Sequence, residues 1–326
     1  MEKLQIDLFD IVRADLDLVE QKLREGVGVM FAPLYEAMVS LLDSGGKRLR
    51  PALALLAFRF GPGAPIERVV ALAAAVETLH TATLVHDDLI DGAKTRRGHR
   101  TLSATWQPAP TVLAGDYLFA RAAGFAAETE SVTVMKLFAQ ALRTICDGEL
   151  RQLFGAFDLN QDLNSYYLRI FSKTASLFAV SAEAGAVLAG ADERTIAALA
   201  SYGRNLGMSF QIEDDVLDFV GDERALGKPV GSDLRQGIIT LPVYYFLRDH
   251  PRREDWREAL SQARPQRDAA VDQIVAEIRR SPAIEACRAE AAAFSRRAQQ
   301  DLAALPDIEP RRRLYELTEL LLQRKN

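Results

Sequence analysis

The segment 66–91 limits what this chain can fold into more than any other. It runs Ile-Glu-Arg-Val-Val-Ala-Leu-Ala-Ala-Ala-Val-Glu and continues to Asp91 without a Pro or Gly. Ala and Leu dominate it, and both favour helix. Its apolarity is nearly continuous, with no polar stripe, so the helix must be buried on most sides. Helical patterning recurs at 11–25, 34–43, 112–127, 131–156, 165–189, 193–219, 238–248, 254–262, 267–279, 283–303 and 309–324. No stretch alternates with period two, and no Asn-Gly or Asp-Gly pair signals a hairpin. Breakers fall between the helical stretches: Gly61-Pro62-Gly63-Ala64-Pro65, Gln107-Pro108-Ala109-Pro110 and the polar segment 158–164. Segment 221–237 carries Gly221, Gly227, Gly231 and Gly237 and reads as one long irregular loop, a feature usually kept for function. No Ser/Gly linker divides the chain, so the expectation is a single all-α domain over residues 1–326.

The apolar helix ends in Asp87-Asp88-Leu89-Ile90-Asp91. Asp87 and Asp91 share a helix face, where like charges repel. Carboxylates at a helix C-terminus also oppose the macrodipole. The pattern costs stability unless something neutralises it, and a metal ion would. It recurs as Asp214-Asp215-Val216-Leu217-Asp218, again inside an apolar helical stretch. Two solvated acidic faces are a poor explanation for two such embedded copies. If the two helices face each other, their carboxylates form an oxygen-lined site, which suits Mg²⁺. Magnesium keeps waters and completes its shell with substrate phosphates, so a phosphate-bearing substrate follows. A di-iron bundle would need two Glu-x-x-His motifs. The chain has Glu77-Thr78-Leu79-His80 and no second, its four histidines being His80, His86, His99 and His250.

Cations lie beside the acids. Gly45-Gly46-Lys47-Arg48-Leu49-Arg50-Pro51 precedes a helix, with glycines that let backbone amides approach an anion. Lys94-Thr95-Arg96-Arg97-Gly98-His99-Arg100 follows the first Asp cluster at once. Lys173-Thr174 is mid-helix, and Lys228 lies in the glycine-rich loop, which lacks the P-loop pattern. The totals, 40 Lys plus Arg against 45 Asp plus Glu, give a net charge of −5. That excludes a general nucleic-acid binder. It also disfavours a polyanionic substrate, until local charge is considered: bound Mg²⁺ inverts the sign of an aspartate cluster. Cys146 and Cys287 are too few for a disulfide scaffold. The N-terminus has early acidic residues and no signal-peptide pattern. No stretch of about 18 uncharged apolar residues predicts a transmembrane helix. A cytoplasmic protein is expected.

Taken together, segments 45–51, 77–98, 114–122, 173–174, 210–218 and 227–242 resemble, in order, the trans-isoprenyl diphosphate synthases of the polyprenyl synthetase family. The resemblance implies a helical bundle around a deep central cavity, of the isoprenoid synthase type, and a homodimer. It implies head-to-tail condensation of isopentenyl diphosphate with an allylic diphosphate. Asp87, Asp91 and Asp214 would then hold Mg²⁺, three ions per site, supported by Asp88, Asp215 and Asp218. Arg96, Lys173 and Lys228 would clamp the allylic diphosphate. Lys47, Arg50, His80 and Arg97 would bind isopentenyl diphosphate. Thr174 and Gln211 would line the position of an allylic cation. The cavity would have to be dry, since water captures such a cation.

Product length should depend on what closes the cavity along segment 66–91. Ala82 and Thr83 precede Asp87 by about one turn, roughly 6 Å at 1.5 Å per residue. Farnesyl-type relatives carry aromatic residues there, whereas both are small here. Leu79 and Val76 lie deeper and are mid-sized, and Phe125 would form a lower floor. The expected product is longer than farnesyl, in the medium- to long-chain range. A stopper from a neighbouring helix would instead give geranylgeranyl or farnesyl diphosphate. A terpene cyclase would carry a different second metal motif, and a non-catalytic synthase subunit would have lost its Asp motifs.

Overall fold

The computed structural model describes residues 8–27, 31–96, 98–221, 229–248, 250–262 and 265–322. It is 78% helical. The helices are α1 (Arg13–Arg24), α2 (Ala32–Asp43), α3 (Leu49–Ala57), α4 (Ile66–Ile90), α5 (Pro108–Glu128), α6 (Val132–Phe154), α7 (Leu163–Ile170) and α8 (Ser176–Leu188). They continue with α9 (Glu193–Val220), α10 (Ser232–Arg235), α11 (Leu241–Arg248), α12 (Arg253–Ser261), α13 (Gln266–Ile278), α14 (Ala283–Ala303) and α15 (Glu309–Leu322). Among the described residues the only strands are β1 (Thr95–Arg96) and β2 (His99–Arg100), an antiparallel ribbon.

Most helices match the expected stretches within a few residues. The differences have physical causes. Helix α3 follows the Gly45–Arg50 run, where a helix start is legible but no period bounds its end. All but Arg50 of its residues are buried, so no polar face marks it. Strands of two residues are too short to alternate, which hides the ribbon. The stretch 165–189 is interrupted by a π-helical turn at Phe171–Ala175. The glycine-rich loop contains the short helix α10.

The chain divides into two compact units, each assembled from separate sequence segments. The first comprises Met1–Leu142, Leu177–Gly203 and Gln300–Leu317, and the second comprises Arg143–Ser176, Arg204–Gln299 and Thr318–Asn326. The boundaries fall inside or at the ends of helices. In the first unit α4 is the core element. It is buried continuously from Val69 to Leu79, then at Ala82, Val85 and Asp88, with α1, α3 and α5 packed against it. Burying each of Val69, Leu72, Val76 and Leu79 contributes roughly 1.5–3 kcal/mol. An 18-residue window of α4 has a mean hydropathy of 1.4, enough by length and composition to cross a membrane, against the expectation from the sequence. In the protein 72% of that stretch is buried, as in a core helix.

The core of the second unit is built on α9. Its Met208, Ile212, Val216 and Phe219 pack in one cluster with Tyr166 and Ile170 before the π turn, Trp256 and Leu260 of α12, and Val271 and Ile274 of α13. One face of α9 is therefore apolar and held, while the neighbouring face carries the second Asp cluster.

Candidate active site

The first Asp cluster lies in the first unit, where α4 ends and Asp91 caps it. Asp87 is half-buried, Asp88 buried and Asp91 exposed. Asp88 Oδ1 accepts hydrogen bonds from Arg96 Nε and Nη2, both at 2.8 Å. Burial raises the Asp88 pKa, and Arg96 opposes that rise. The ribbon makes this pairing possible: Thr95 lies opposite Arg100 and Arg96 opposite His99, so the basic run folds back on the helix end. Thr101 and Ser103, which the sequence does not single out, fix the turn. Thr101 Oγ1 donates to the Ala93 carbonyl at 2.6 Å, and Ser103 Oγ donates to the Asp88 carbonyl at 3.1 Å. Hydroxyls capping a helix end are common enough to give no sequence signal. Just before the cluster, His86 Nε2 lies 3.2 Å from the Val112 carbonyl of α5. A Cβ at position 115 would sit 2.2 Å from that nitrogen, so Gly115 admits the ring.

The candidate isopentenyl diphosphate residues Lys47, Arg50 and His80 also belong to the first unit, and Arg97 lies outside the described residues. Lys47 is exposed, while Arg50 and His80 are half-buried. The Arg50 guanidinium sits 4.6 Å from the centroid of the buried Phe178 ring, a cation–π contact that holds its carbon stem in place. Arg48 turns instead into ion pairs with Glu20 and Glu77.

Of the chain-length residues, Val76, Leu79 and Ala82 are fully buried. Ala82 shares a cluster with Met38, Val85 and Leu118, against which Leu41, Leu42 and Phe119 pack. The Thr83 hydroxyl donates to the His80 carbonyl at 2.8 Å. The Phe125 ring has Lys22 Nζ at 5.7 Å and the Arg121 guanidinium at 5.1 Å from its centroid. Cations, not hydrocarbon, therefore cover part of the residue expected to form the deeper floor.

The second cluster lies in the second unit. Gln211, Asp214, Asp215 and Asp218 occupy adjacent positions on one side of α9. Asp214 is exposed, whereas Asp215 and Asp218 are buried. Asp215 Oδ1 accepts from Gln211 Nε2 and Oδ2 from the Tyr166 hydroxyl, each at 2.8 Å. Burial pushes the Asp215 carboxyl up to about 7, helped by nearby Asp233 and opposed by the donors Gln211 and Tyr166. Because the Gln211 amide nitrogen is committed to Asp215, its Oε1 is turned to Thr174, whose Oγ1 donates to it at 2.6 Å. Tyr166 was not legible as a site residue, since a tyrosine in an amphipathic helix usually marks core. Asp218 Oδ1 accepts from Ser232 Oγ at 3.0 Å and Oδ2 from the Asp233 amide at 3.3 Å, which ties the end of the glycine-rich loop to the motif. Lys228 lies outside the described residues.

Lys173 and Thr174 occupy the π turn, a distortion that often occurs at functional sites. Lys173 Nζ pairs with Glu149 Oε1 of α6 at 2.7 Å. One residue earlier, Gly148 packs so closely that a Cβ there would lie 2.5 Å from Ser172 Cβ. That atom is fixed to the backbone and cannot swing away. Gly148→Ala should displace the π turn and with it Lys173 and Thr174. A shift near 1 Å costs about 100-fold in rate. The measurement is kcat alongside the circular dichroism spectrum, and wild-type kcat in a folded variant would refute the packing argument.

The donor set suits magnesium. Both clusters offer carboxylate oxygens only. Among the described residues no three His, Cys, Asp or Glu side chains converge closely enough to hold an ion alone. Mg²⁺ is commonly held by one or two carboxylates, with waters and substrate phosphates completing the octahedron.

Known proteins resemble the chain over most of its length. Residues 32–278 match the family described as Polyprenyl synthetase. Over 311 residues the chain is 41% identical to heptaprenyl diphosphate synthase component 2 of Geobacillus stearothermophilus, covering 95% of this chain and 96% of that one. The structure of heptaprenyl diphosphate synthase from Staphylococcus aureus is similar with a TM-score of 0.90 at 36% identity, over 97% of this chain and 99% of that one. A polyprenyl synthase from Caulobacter crescentus, complexed with calcium and isoprenyl diphosphate, gives a TM-score of 0.85 at 36% identity, over 98% and 97% of the two chains.

Proposed function

The chain belongs to the polyprenyl synthetase family, and on that premise we propose that it is a Mg²⁺-dependent trans-polyprenyl diphosphate synthase. It condenses isopentenyl diphosphate head-to-tail with an allylic diphosphate and makes a product longer than farnesyl. The observation that carries the reading is the shared division within the two Asp motifs. In each, the second aspartate is buried and fixed by neutral or cationic donors, Asp88 by Arg96 and Asp215 by Gln211 and Tyr166. The exposed or half-buried Asp87, Asp91 and Asp214 are then the residues that would hold Mg²⁺, with Asp88, Asp215 and Asp218 in support. The family reading has three ions per site, and bound Mg²⁺ would neutralise the diphosphate as it leaves.

The chain's own residues do the rest. Arg96, Lys173 and Lys228 bind the allylic diphosphate and stabilise the charge that develops as its carbon–oxygen bond breaks. Arg96 is oriented by Asp88 and Lys173 by Glu149. Gln211 Oε1 and Thr174 Oγ1 offer lone pairs to the allylic cation without a basic nitrogen that would trap it. Lys47, Arg50, His80 and Arg97 hold isopentenyl diphosphate, whose double bond attacks the cation. The attack leaves a tertiary cation on the isopentenyl unit, which loses a proton from the adjacent carbon to the released diphosphate and so gains the new double bond.

The test is diphosphate release by the purified chain with Mg²⁺. The reading expects release with an allylic diphosphate to depend on added isopentenyl diphosphate. Equal release with the allylic substrate alone, accompanied by a cyclised hydrocarbon, would make the protein a cyclase.

The enzyme works as a homodimer in this reading, in the cytoplasm, a compartment suited to its unpaired Cys146 and Cys287. The outward face of α5 supports self-association: Val112, Leu113 and Tyr117 are exposed, Leu113 by 67%, and Ala120 and Gly124 continue the row. Leu113→Glu should halve the mass measured by light scattering after gel filtration. A dimer that survives this change would remove α5 from the interface.

A further inference from the structure

The isopentenyl diphosphate subsite of this reading leaves two residues unexplained. Arg48 sits among the candidate anion-binding cations of the Gly45–Arg50 run, and Glu77 belongs to the solitary Glu-x-x-His motif. In the structure they answer each other. Arg48 Nη1 donates to Glu77 Oε1 at 2.7 Å, and Arg48 Nε donates to Glu20 Oε1 at 2.5 Å. The third Arg48 nitrogen, Nη2, reaches Glu20 Oε2 at 3.3 Å, so the guanidinium bridges α1 and α4. Glu77 is buried, with 6% of its surface exposed, in a stretch of α4 that is otherwise almost wholly apolar. A carboxylate in such a place is costly unless paired.

The backbone points the same way. Arg48 caps α3 with φ 48° and ψ 32°, in the left-handed region that a non-glycine residue rarely occupies. Such conformations persist where the surroundings over-determine them, and they cluster at functional sites. Here the determinant is the double ion pair. Its position matters too. Arg48 lies in the chain between Lys47 and Arg50, and Glu77 lies one helical turn before His80 on α4. One ion pair thus joins the two places that supply the three described isopentenyl diphosphate candidates.

We infer that Arg48 is a positioning residue of the isopentenyl diphosphate subsite, anchoring the Gly45–Arg50 segment to α4 through Glu77 so that Lys47 and Arg50 are held in register with His80. Arg48 does not bind the diphosphate itself. Its guanidinium is committed to two carboxylates, and an incoming anion would have to displace both. Lysine cannot replace it fully, because a single ammonium lacks the planar fork that serves Glu20 and Glu77 together.

The inference rests on the synthase reading, and the test separates the two. Steady-state kinetics are run on Arg48→Ala, Arg48→Lys and Glu77→Gln, varying isopentenyl diphosphate and the allylic diphosphate independently. Arg48→Ala and Glu77→Gln should raise KM for isopentenyl diphosphate at least about tenfold, with KM for the allylic substrate unchanged within about twofold. Arg48→Lys should fall between Arg48→Ala and the wild type. Glu77→Gln keeps the volume of the buried side chain without its charge, so the split can be read even if Arg48→Ala fails to fold. A fall in kcat with both KM values unchanged, or equal rises in both, would reduce the pair to a structural clamp and overturn the inference alone. A wild-type chain that does not consume isopentenyl diphosphate would overturn the synthase reading and this inference with it.

Discussion

Asp87→Ala is expected to leave the isolated chain at least about 100-fold slower, in line with the loss of a single preorganised electrostatic group at a reacting centre. The thermal midpoint, measured alongside, separates loss of chemistry from loss of fold. Asp87 and Asp91 are like charges one helical turn apart at a helix C-terminus, where the macrodipole opposes them. The buried neighbour gives the contrast. Asp88→Ala would strip Arg96 of the carboxylate that orients it and should cost both activity and stability. If Asp87→Ala retains wild-type turnover, the first motif is not the metal site. Loss of activity in the isolated chain also excludes a non-catalytic subunit, a point worth settling because the heptaprenyl diphosphate synthase relative is a "component 2".

Ala82→Phe should shorten the product by one or more five-carbon units. The argument is volume: Ala82 is fully buried on α4, about one turn below Asp87, and a phenyl ring there would occupy space that the growing chain needs. A second observable separates a cavity from ordinary core. Forcing a ring into a packed interior costs about 1–3 kcal/mol, whereas a ring entering an open lumen costs little. The reading expects shorter products at nearly unchanged stability in urea. Unchanged products with a loss of that size would mean that Ala82 packs against Met38 and Leu118 as core, and that the stop lies elsewhere. Phe125 is a weaker candidate for that stop than the sequence suggested, since Lys22 and Arg121 lie over its ring.

Much of this was legible in the residues because the signals are local. An apolar helix with no polar stripe has to be core, and α4 is. Repeated Asp-Asp-x-x-Asp within such helices is costly unless it is used, which singles out both clusters. The pairings that hold these residues were not legible, because they are long-range. Arg96 is expected from the basic run beside the first Asp cluster, but only the ribbon shows it turned onto Asp88. Lys173 and Thr174 are named by the resemblance, but the π turn that carries them, packed against Gly148, has no mark in their own sequence. Tyr166 carries no mark of its partnership with Asp215, which lies 49 residues further along the chain. Arg48 shares its charge with Lys47 and Arg50, while its ion pairs with Glu20 and Glu77 separate it from them.

The most direct test of the account is product analysis after the purified chain is incubated with Mg²⁺, labelled isopentenyl diphosphate and an allylic primer. The account predicts label in all-trans polyprenyl diphosphates longer than farnesyl, and its loss when a chelator removes the metal. Label confined to a farnesyl-length product would contradict the assignment of chain length. No incorporation of isopentenyl diphosphate at all would contradict the central claim that this chain is itself a synthase.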